Sequence, residues 1–276
     1  MSLKLMYITN NPDVALIAEK VGVDRIFIDL EYIGKNLRQG GMDTVQNRHT
    51  IADVKNMRKI ITKSKLMVRV NPIHDKTDDY SSSEYEIDGV INAGAEIVML
   101  PYFKTADEVR RFVKAVGGRA KTLLLFETPE SIANIDEILE IDGIDEVFIG
   151  LNDLSLGYGH KFMFALLADG TVEKIIEKFN SKKLSYGFGG IASLGRGMLP
   201  SEKVIAEHYR LGSTCVILSR SFCNTSIIDN IDVINMIFKN GIKEIREYEK
   251  YCKKQDDNFF LENKKTVKQI VEEICR

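Results

Sequence analysis

The sequence predicts an α/β fold, a (β/α)8 TIM barrel with a C-terminal helical extension. Eight short apolar runs recur along the chain, each continuous rather than alternating, as strands buried on both faces of a parallel sheet are. Stretches with apolar residues at helical spacing separate most of them. The length, 276 residues, suits one large barrel.

Leu5 to Ile8 is the first strand, and Asn10-Asn11-Pro12 opens a helix that Gly22 closes. Arg25 to Asp29 is the second strand, ending at Asp29-Leu30-Glu31. A long polar loop follows from Tyr32 to Arg48, and loops of that length inside a domain tend to be functional. A helix over Thr50 to Ser64 leads to the third strand, Leu66 to Val70, then Asn71-Pro72. A helix over Glu84 to Ala93 and Gly94 precede the fourth strand, Ile97 to Leu100. Thr105 to Val116 is helical, with Gly117-Gly118 as its stop. The fifth strand is Leu123 to Phe126. Thr128-Pro129-Glu130 then starts a helix: threonine caps, proline suits the first turn, and Ile132, Ile135, Ile138 and Leu139 keep helical spacing. Val147 to Ile149 is the sixth strand. A helix over Thr171 to Lys182, a strand over Ser185 to Gly189, a helix over Pro200 to Leu211 and a strand over Cys215 to Ser219 complete the barrel. The domain boundary falls at 226/227. Residues 227–276 read as a helical segment with Ile231, Ile234, Ile237 and Phe238 on one face, packing on the barrel or on a neighbouring subunit.

Composition excludes several classes. Apolar residues make up 44% and charged residues 28%, ordinary for a soluble globular protein. A net charge of −2 gives no reason to expect a nucleic-acid partner. No apolar run approaches a membrane span, and no signal peptide is visible. Four cysteines without C-x-x-C spacing read as reduced thiols of a cytoplasmic protein. Four histidines show no H-x-x-x-H or H-E-x-x-H spacing, against zinc.

The chemistry centres on 122–159. If the strands are parallel, Glu127 and Asp153 both project from the C-terminal edge of the sheet, where α/β folds bind ligands. Two carboxylates there form a hard-oxygen site suited to Mg²⁺, with Mn²⁺ or Co²⁺ as substitutes, water and substrate completing the coordination. Arg69 interrupts an apolar strand, which is costly without anionic partners. Its planar fork suits an enolate or carboxylate oxygen, or alternatively a salt bridge to Glu31 or Glu127. Gly187 to Ala192 matches G-x-G-x-x-A, a weak dinucleotide fingerprint this late in a chain. Together with Arg196 it equally suits a phosphate or CoA group.

Glu127-Thr128-Pro129-Glu130 and Gly150-Leu151-Asn152-Asp153-Leu154-Ser155 resemble the paired signature of the HpcH/HpaI aldolase and citrate-lyase family, with Asp153 lying 26 residues after Glu127. The general pattern runs from about Leu3 to Ser219. The resemblance implies a metal-dependent carbon–carbon lyase or aldolase acting on a 2-oxo acid, pyruvate- or oxaloacetate-like, or on an acyl-CoA or carrier thioester. It implies Glu127 and Asp153 as metal ligands and Arg69, in its R-V-N-P setting, as the catalytic arginine. Asp29 and Glu31 match the D-x-E after the second strand and orient Arg69 or a water. Backbone N–H groups of Gly150, Leu151 and Asn152 are expected to take the substrate carboxylate. A homo-oligomer is implied as well. Two positions depart from the aldolase branch: Tyr32 stands where that branch has a histidine base, and Leu125 where it has a glutamine. The base is thus left among Tyr32, a metal-bound hydroxide, His49 and His160. A non-catalytic barrel that binds a 2-oxo acid is the rival expectation.

Overall fold

The computed structural model describes residues 2–35 and 49–276. Most of the long polar loop, residues 36–48, lies outside the described residues.

Eight parallel strands close into a barrel in sequential order: β1 (Lys4–Ile8), β2 (Arg25–Asp29), β3 (Lys65–Arg69), β4 (Ile97–Leu100), β5 (Lys121–Phe126), β6 (Glu146–Ile149), β7 (Ser185–Ile191) and β8 (Cys215–Leu218). Pairing β1 with β8, through Lys4–Cys215 and Leu5–Val216, completes the ring. Around it lie α1 (Pro12–Lys20), α2 (Ile51–Ile60), α3 (Ser83–Asn92), α4 (Ala106–Val116), α5 (Pro129–Ala133), α6 (Ile135–Ile138), α7 (Leu151–Gly157), α8 (Ala165–Ala168), α9 (Thr171–Ser181) and α10 (Ser201–Arg210). The strand runs and their order agree with the sequence. Two details do not. The helix expected from Pro129 breaks at Asn134 into α5 and α6. β7 runs two residues further, through a register shift between Gly187 and Gly190.

Local chemistry sets the helix starts. Thr50 with Asp53, and Thr105 with Glu108, form reciprocal capping boxes. Gly117 closes α4 at φ +57°, a left-handed cap that glycine adopts without a Cβ clash.

The core has two layers. Met6, Phe27, Met67, Met99, Leu123 and Phe148 fill the barrel interior, while a larger cluster lies between strands and helices. At the base of the interior, Arg25 from β2 meets Glu146 from β6, with Nη2 at 2.9 and 2.7 Å from the two carboxylate oxygens. Both side chains are buried. A lone charge there would be strongly unfavourable, so the fork geometry compensates two desolvated groups at once.

The C-terminal segment forms α11 (Ile231–Cys252) and α12 (Asp257–Cys275). Both fold back on this chain's own barrel: α11 against α1 and α10, α12 against α8 and α10. Phe238 of α11 packs edge-on against Tyr7 of β1, with ring centroids 4.8 Å apart.

α10 carries an acid-sensitive position. His208 is fully buried, stacked on Phe188 at 3.8 Å, with Nδ1 2.8 Å from the Ser213 hydroxyl. Its Nε2 has no partner among the described residues. Burial lowers its pKa from 6.5 to about 3. The unfolded chain therefore binds a proton near pH 6.5 that the folded chain refuses until about pH 3. Stability from this group is full above pH 6.5 and drains as pH falls toward 3, at about 1.4 kcal/mol per unit at the steepest. Urea midpoints at pH 7, 6 and 5 are expected to fall less steeply in His208→Gln than in the parent. Parallel slopes would contradict this account.

Candidate active site

A cavity of about 340 Å³ opens at the C-terminal mouth of the barrel. Asp29, Arg69, Glu127 and Asp153 all line it, together with Lys35. Strands β2, β3, β5 and β6 thus deliver their terminal residues to one place, as parallel strands in a closed barrel must.

Glu127 follows β5 and is buried. Its Oε1 accepts the backbone N–H of Tyr102 at 3.0 Å. Tyr102 makes that bond from φ +49°, a left-handed conformation that costs a non-glycine residue about 1 kcal/mol or more. The strain is tied to a specific task, presenting an amide to the Glu127 carboxylate. Thr128 anchors the next turn: its hydroxyl donates to Phe103 O at 2.8 Å and accepts from Ser131 N at 3.0 Å.

Gly150 faces Glu127 from β6. A Cβ at Gly150 would lie 2.7 Å from both Cβ and Oε2 of Glu127. Only glycine lets the sixth-strand turn approach that carboxylate so closely. The amide of Gly150, expected from sequence to face the substrate carboxylate, is engaged within the sheet in this structure. It donates to Phe126 O at 2.9 Å, continuing the β5–β6 ladder. Helix α7 starts at once, with no side-chain cap. Leu151 and Asn152 therefore present first-turn amides, and Asp153 stands in the same turn.

Arg69 ends β3. Its Nε and Nη2 donate to the two oxygens of Asp29, both at 2.8 Å. Nη1 lies 3.3 Å from Glu31 Oε2. Burial works against the guanidinium charge, but Asp29, Glu31 and then Glu127 outweigh it and hold the pKa well above the usual arginine value. Asp29 and Glu31 are both buried. The alternative that Arg69 pairs with Glu31 holds, with Asp29 as the closer partner. Asn71 fixes the chain beyond Glu31: its Oδ1 accepts from Tyr32 N at 2.9 Å and Ile33 N at 3.0 Å.

Lys35 was not anticipated from the sequence. It is buried, with Nζ 3.0 Å from Asp29 Oδ2 and 3.5 Å from Glu31 Oε2. A signal existed, since Glu31 and Lys35 stand four apart at the mouth of the long polar loop.

The expected bases sit elsewhere. Tyr32 is half exposed, its ring 5.6 Å from that of Tyr80, and it does not line the cavity. His49 accepts the backbone N–H of Asp29 on Nδ1 at 3.0 Å. Burial lowers its pKa against the opposing pull of Asp29 and Asp53. His160 pairs with Asp169 at 3.5 Å. No histidine lines the cavity among the described residues.

The glycine run does not form a dinucleotide turn. A Cβ at Gly187 would lie 2.3 Å from Cys215 O, so this glycine serves close strand packing. The next helix starts only at Ser201. Gly189 and Gly190 line the cavity, as do Ser219 and Arg220 after β8, whereas Arg196 does not.

Two carboxylates on one cavity wall fit a hard divalent cation as part of its coordination. Among the described residues no group of three or more His, Cys, Asp or Glu side chains is placed to hold a metal. The remaining ligands would have to be water and substrate oxygens.

A family model described as HpcH/HpaI aldolase/citrate lyase matches residues 4–163. A hydroxypyruvate/pyruvate aldolase of Rhizorhabdus wittichii is 63% identical over 38 residues, 14% of this chain and 15% of that protein. One from Sagittula stellata is 32% identical over 104 residues, 27% of this chain and 41% of that protein. The chain thus spans less than half the length of these curated relatives. The crystal structure of an HpcH/HpaI aldolase from Desulfitobacterium hafniense superposes with a TM-score of 0.58 at 15% identity, covering 89% of this chain and 93% of that one. That likeness concerns the fold.

Proposed function

The chain belongs to the HpcH/HpaI aldolase/citrate lyase family, and from that premise we propose that it is a divalent-metal-dependent carbon–carbon lyase acting on a 2-oxo acid through an enolate. The observation that carries this reading is the convergence of Glu127, Asp153 and Arg69 on one cavity. Pyruvate- and oxaloacetate-like acids are the leading substrates, and an acyl thioester is the variant. Mg²⁺ is the proposed ion, with Mn²⁺ or Co²⁺ as substitutes.

Glu127 and Asp153 are the residues that would hold the cation. The chemistry such an ion supplies when bound is Lewis-acid polarisation of the 2-oxo group. Everything else falls to the chain. Arg69 keeps its charge because Asp29 and Glu31 seat it. Its remaining N–H groups meet the oxygen on which enolate charge develops. The amides of Leu151 and Asn152 orient the substrate carboxylate. Met67, Leu123 and Phe148 below the cavity exclude water from the base of the site.

We further propose residues 1–226 as the catalytic unit and 227–276 as a brace on it, in a homo-oligomer. Among the described residues no helix is long and apolar enough to cross a membrane. Free Cys215, Cys223 and Cys252, all buried, fit a reducing cytoplasm.

Metal removal tests the reading. Cleavage of 4-hydroxy-2-oxopentanoate, followed as pyruvate release, is expected to vanish after EDTA treatment and to return with Mg²⁺ or Mn²⁺. Activity that survives chelation removes the metal from the mechanism. The lack of a histidine in the described cavity wall favours one rival, a barrel that binds a 2-oxo acid without turning it over. Calorimetric binding of pyruvate with no cleavage of any hydroxy-oxo acid would support that rival.

A further inference from the structure

We propose that Lys35 is the proton-transfer residue for the acceptor half of the reaction, passing a proton to the carbonyl oxygen of the aldehyde when the carbon–carbon bond forms and removing it from the hydroxyl when the bond breaks. This rests on the lyase reading and deepens it.

Position is the first argument. Lys35 is buried and lines the cavity alongside Arg69, Glu127 and Asp153. The histidines and Tyr32, which side-chain chemistry would nominate first, lie outside the cavity wall.

Donor count is the second argument. An ammonium carries three N–H donors. Among the described residues Nζ donates to Asp29 Oδ2 at 3.0 Å and pairs with Glu31 Oε2 at 3.5 Å, which leaves donor capacity for a ligand oxygen in the cavity. Arg69 is held by the same two carboxylates. Two cations are thus set side by side on one acidic pair, a guanidinium fixed by its planar fork and a compact ammonium on a flexible stem.

That division of labour matches the two oxygens of an aldol reaction. The 2-oxo oxygen needs a fixed positive charge throughout. The acceptor oxygen needs a proton that comes and goes. In bond formation the enolate carbon attacks the aldehyde carbon. The carbonyl π pair moves to oxygen, and that oxygen takes a proton from Lys35, leaving a neutral amine that solvent reprotonates. In cleavage the ammonium first gives a proton to solvent, the resulting amine takes the hydroxyl proton, the C–O bond becomes a carbonyl, and the C–C pair returns to the enolate. Among the described residues, the charged and titratable groups facing Lys35 are Asp29 and Glu31 from the end of β2, Arg69 from β3 and His49 ahead of α2.

Two reactions of one 2-oxo-acid site separate this role from a structural one. Retro-aldol cleavage of 4-hydroxy-2-oxopentanoate requires proton removal from a hydroxyl. Decarboxylation of oxaloacetate reaches the same enolate without it. The variants are Lys35→Met and Lys35→Arg, the second keeping the cation on Asp29 and Glu31 with a guanidinium that does not give up its proton. In both, the cleavage-to-decarboxylation ratio is expected to fall about 100-fold or more, within the range for a general acid–base residue. The melting temperature of Lys35→Arg is expected to stay near the parent's, which guards against a folding defect in Lys35→Met. A parallel fall in both reactions would reduce Lys35 to a support for Arg69 and overturn the proposal. An unchanged ratio in Lys35→Arg overturns it as well. A parent protein inert toward both substrates fails the lyase reading itself, and the Lys35 step falls with it.

Discussion

Arg69→Ala is expected to cut turnover sharply and to lower stability together. The guanidinium makes two 2.8 Å bonds to Asp29 and a 3.3 Å contact to Glu31. Removing it leaves two buried carboxylates, with Lys35 among the described residues still paired to both. Breaking a buried pair from one side costs about 3–5 kcal/mol. Retention of Lys35 places this case near the lower figure. For a chain of this size that corresponds to a drop of roughly 6–12 °C in melting temperature. Loss of the fixed positive charge beside the reacting oxygen is expected to reduce kcat about 100- to 1000-fold. Arg69→Lys separates the effects. A lysine restores charge to Asp29 but not the two-pronged fork, so most of the melting temperature should return and little of the rate. Calorimetry and steady-state kinetics on both variants check this. An Arg69→Ala protein with near-parental turnover would remove the arginine from the mechanism.

The second large effect is expected at Glu127. Glutamine there keeps the volume and an amide oxygen for the Tyr102 N–H, now at 3.0 Å from a carboxylate oxygen. It removes the charge that a divalent cation needs. Glu127→Gln should therefore fold like the parent. Its affinity for Mn²⁺, measured by titration calorimetry, should fall at least tenfold, and turnover about 100-fold or more. Glu127→Ala adds a cost, because the strained Tyr102 amide loses its acceptor and its left-handed backbone loses its purpose. Unchanged Mn²⁺ affinity in Glu127→Gln would detach Glu127 from the metal.

The barrel was legible in the sequence because each strand is a short unbroken apolar run, and burial on both faces dictates that pattern. Asp29, Arg69, Glu127 and Asp153 were legible for the converse reason. Asp29, Arg69 and Glu127 stand at or directly after the end of such a run, where a buried charge demands a partner or a ligand, while the part-buried Asp153 follows its run by four residues. What stayed hidden depends on contacts between distant segments. Nothing local in Gly150 says that its amide continues the ladder to Phe126, or that a Cβ there would strike Glu127. Tyr102 gives no sign that it is held at a positive φ for the sake of a residue 25 positions away. Lys35 looked like one more polar residue in a long loop until Asp29 and Glu31 were seen to enclose it. The break at Asn134 escaped because Ile132, Ile135 and Ile138 keep helical spacing across it. The glycines of β7 suggested a phosphate cradle, and only the strand pairing shows Gly187 accommodating Cys215 and Phe148.

The Arg25–Glu146 pair, with the packed side chains above it, stoppers the foot of the barrel. Among the described residues, the cavity beside Glu127 and Asp153 lies at the opposite, C-terminal end. On the proposed lyase reading, both fragments of a cleaved substrate would share that one end, and the fragment seated nearer the mouth would be expected to depart first.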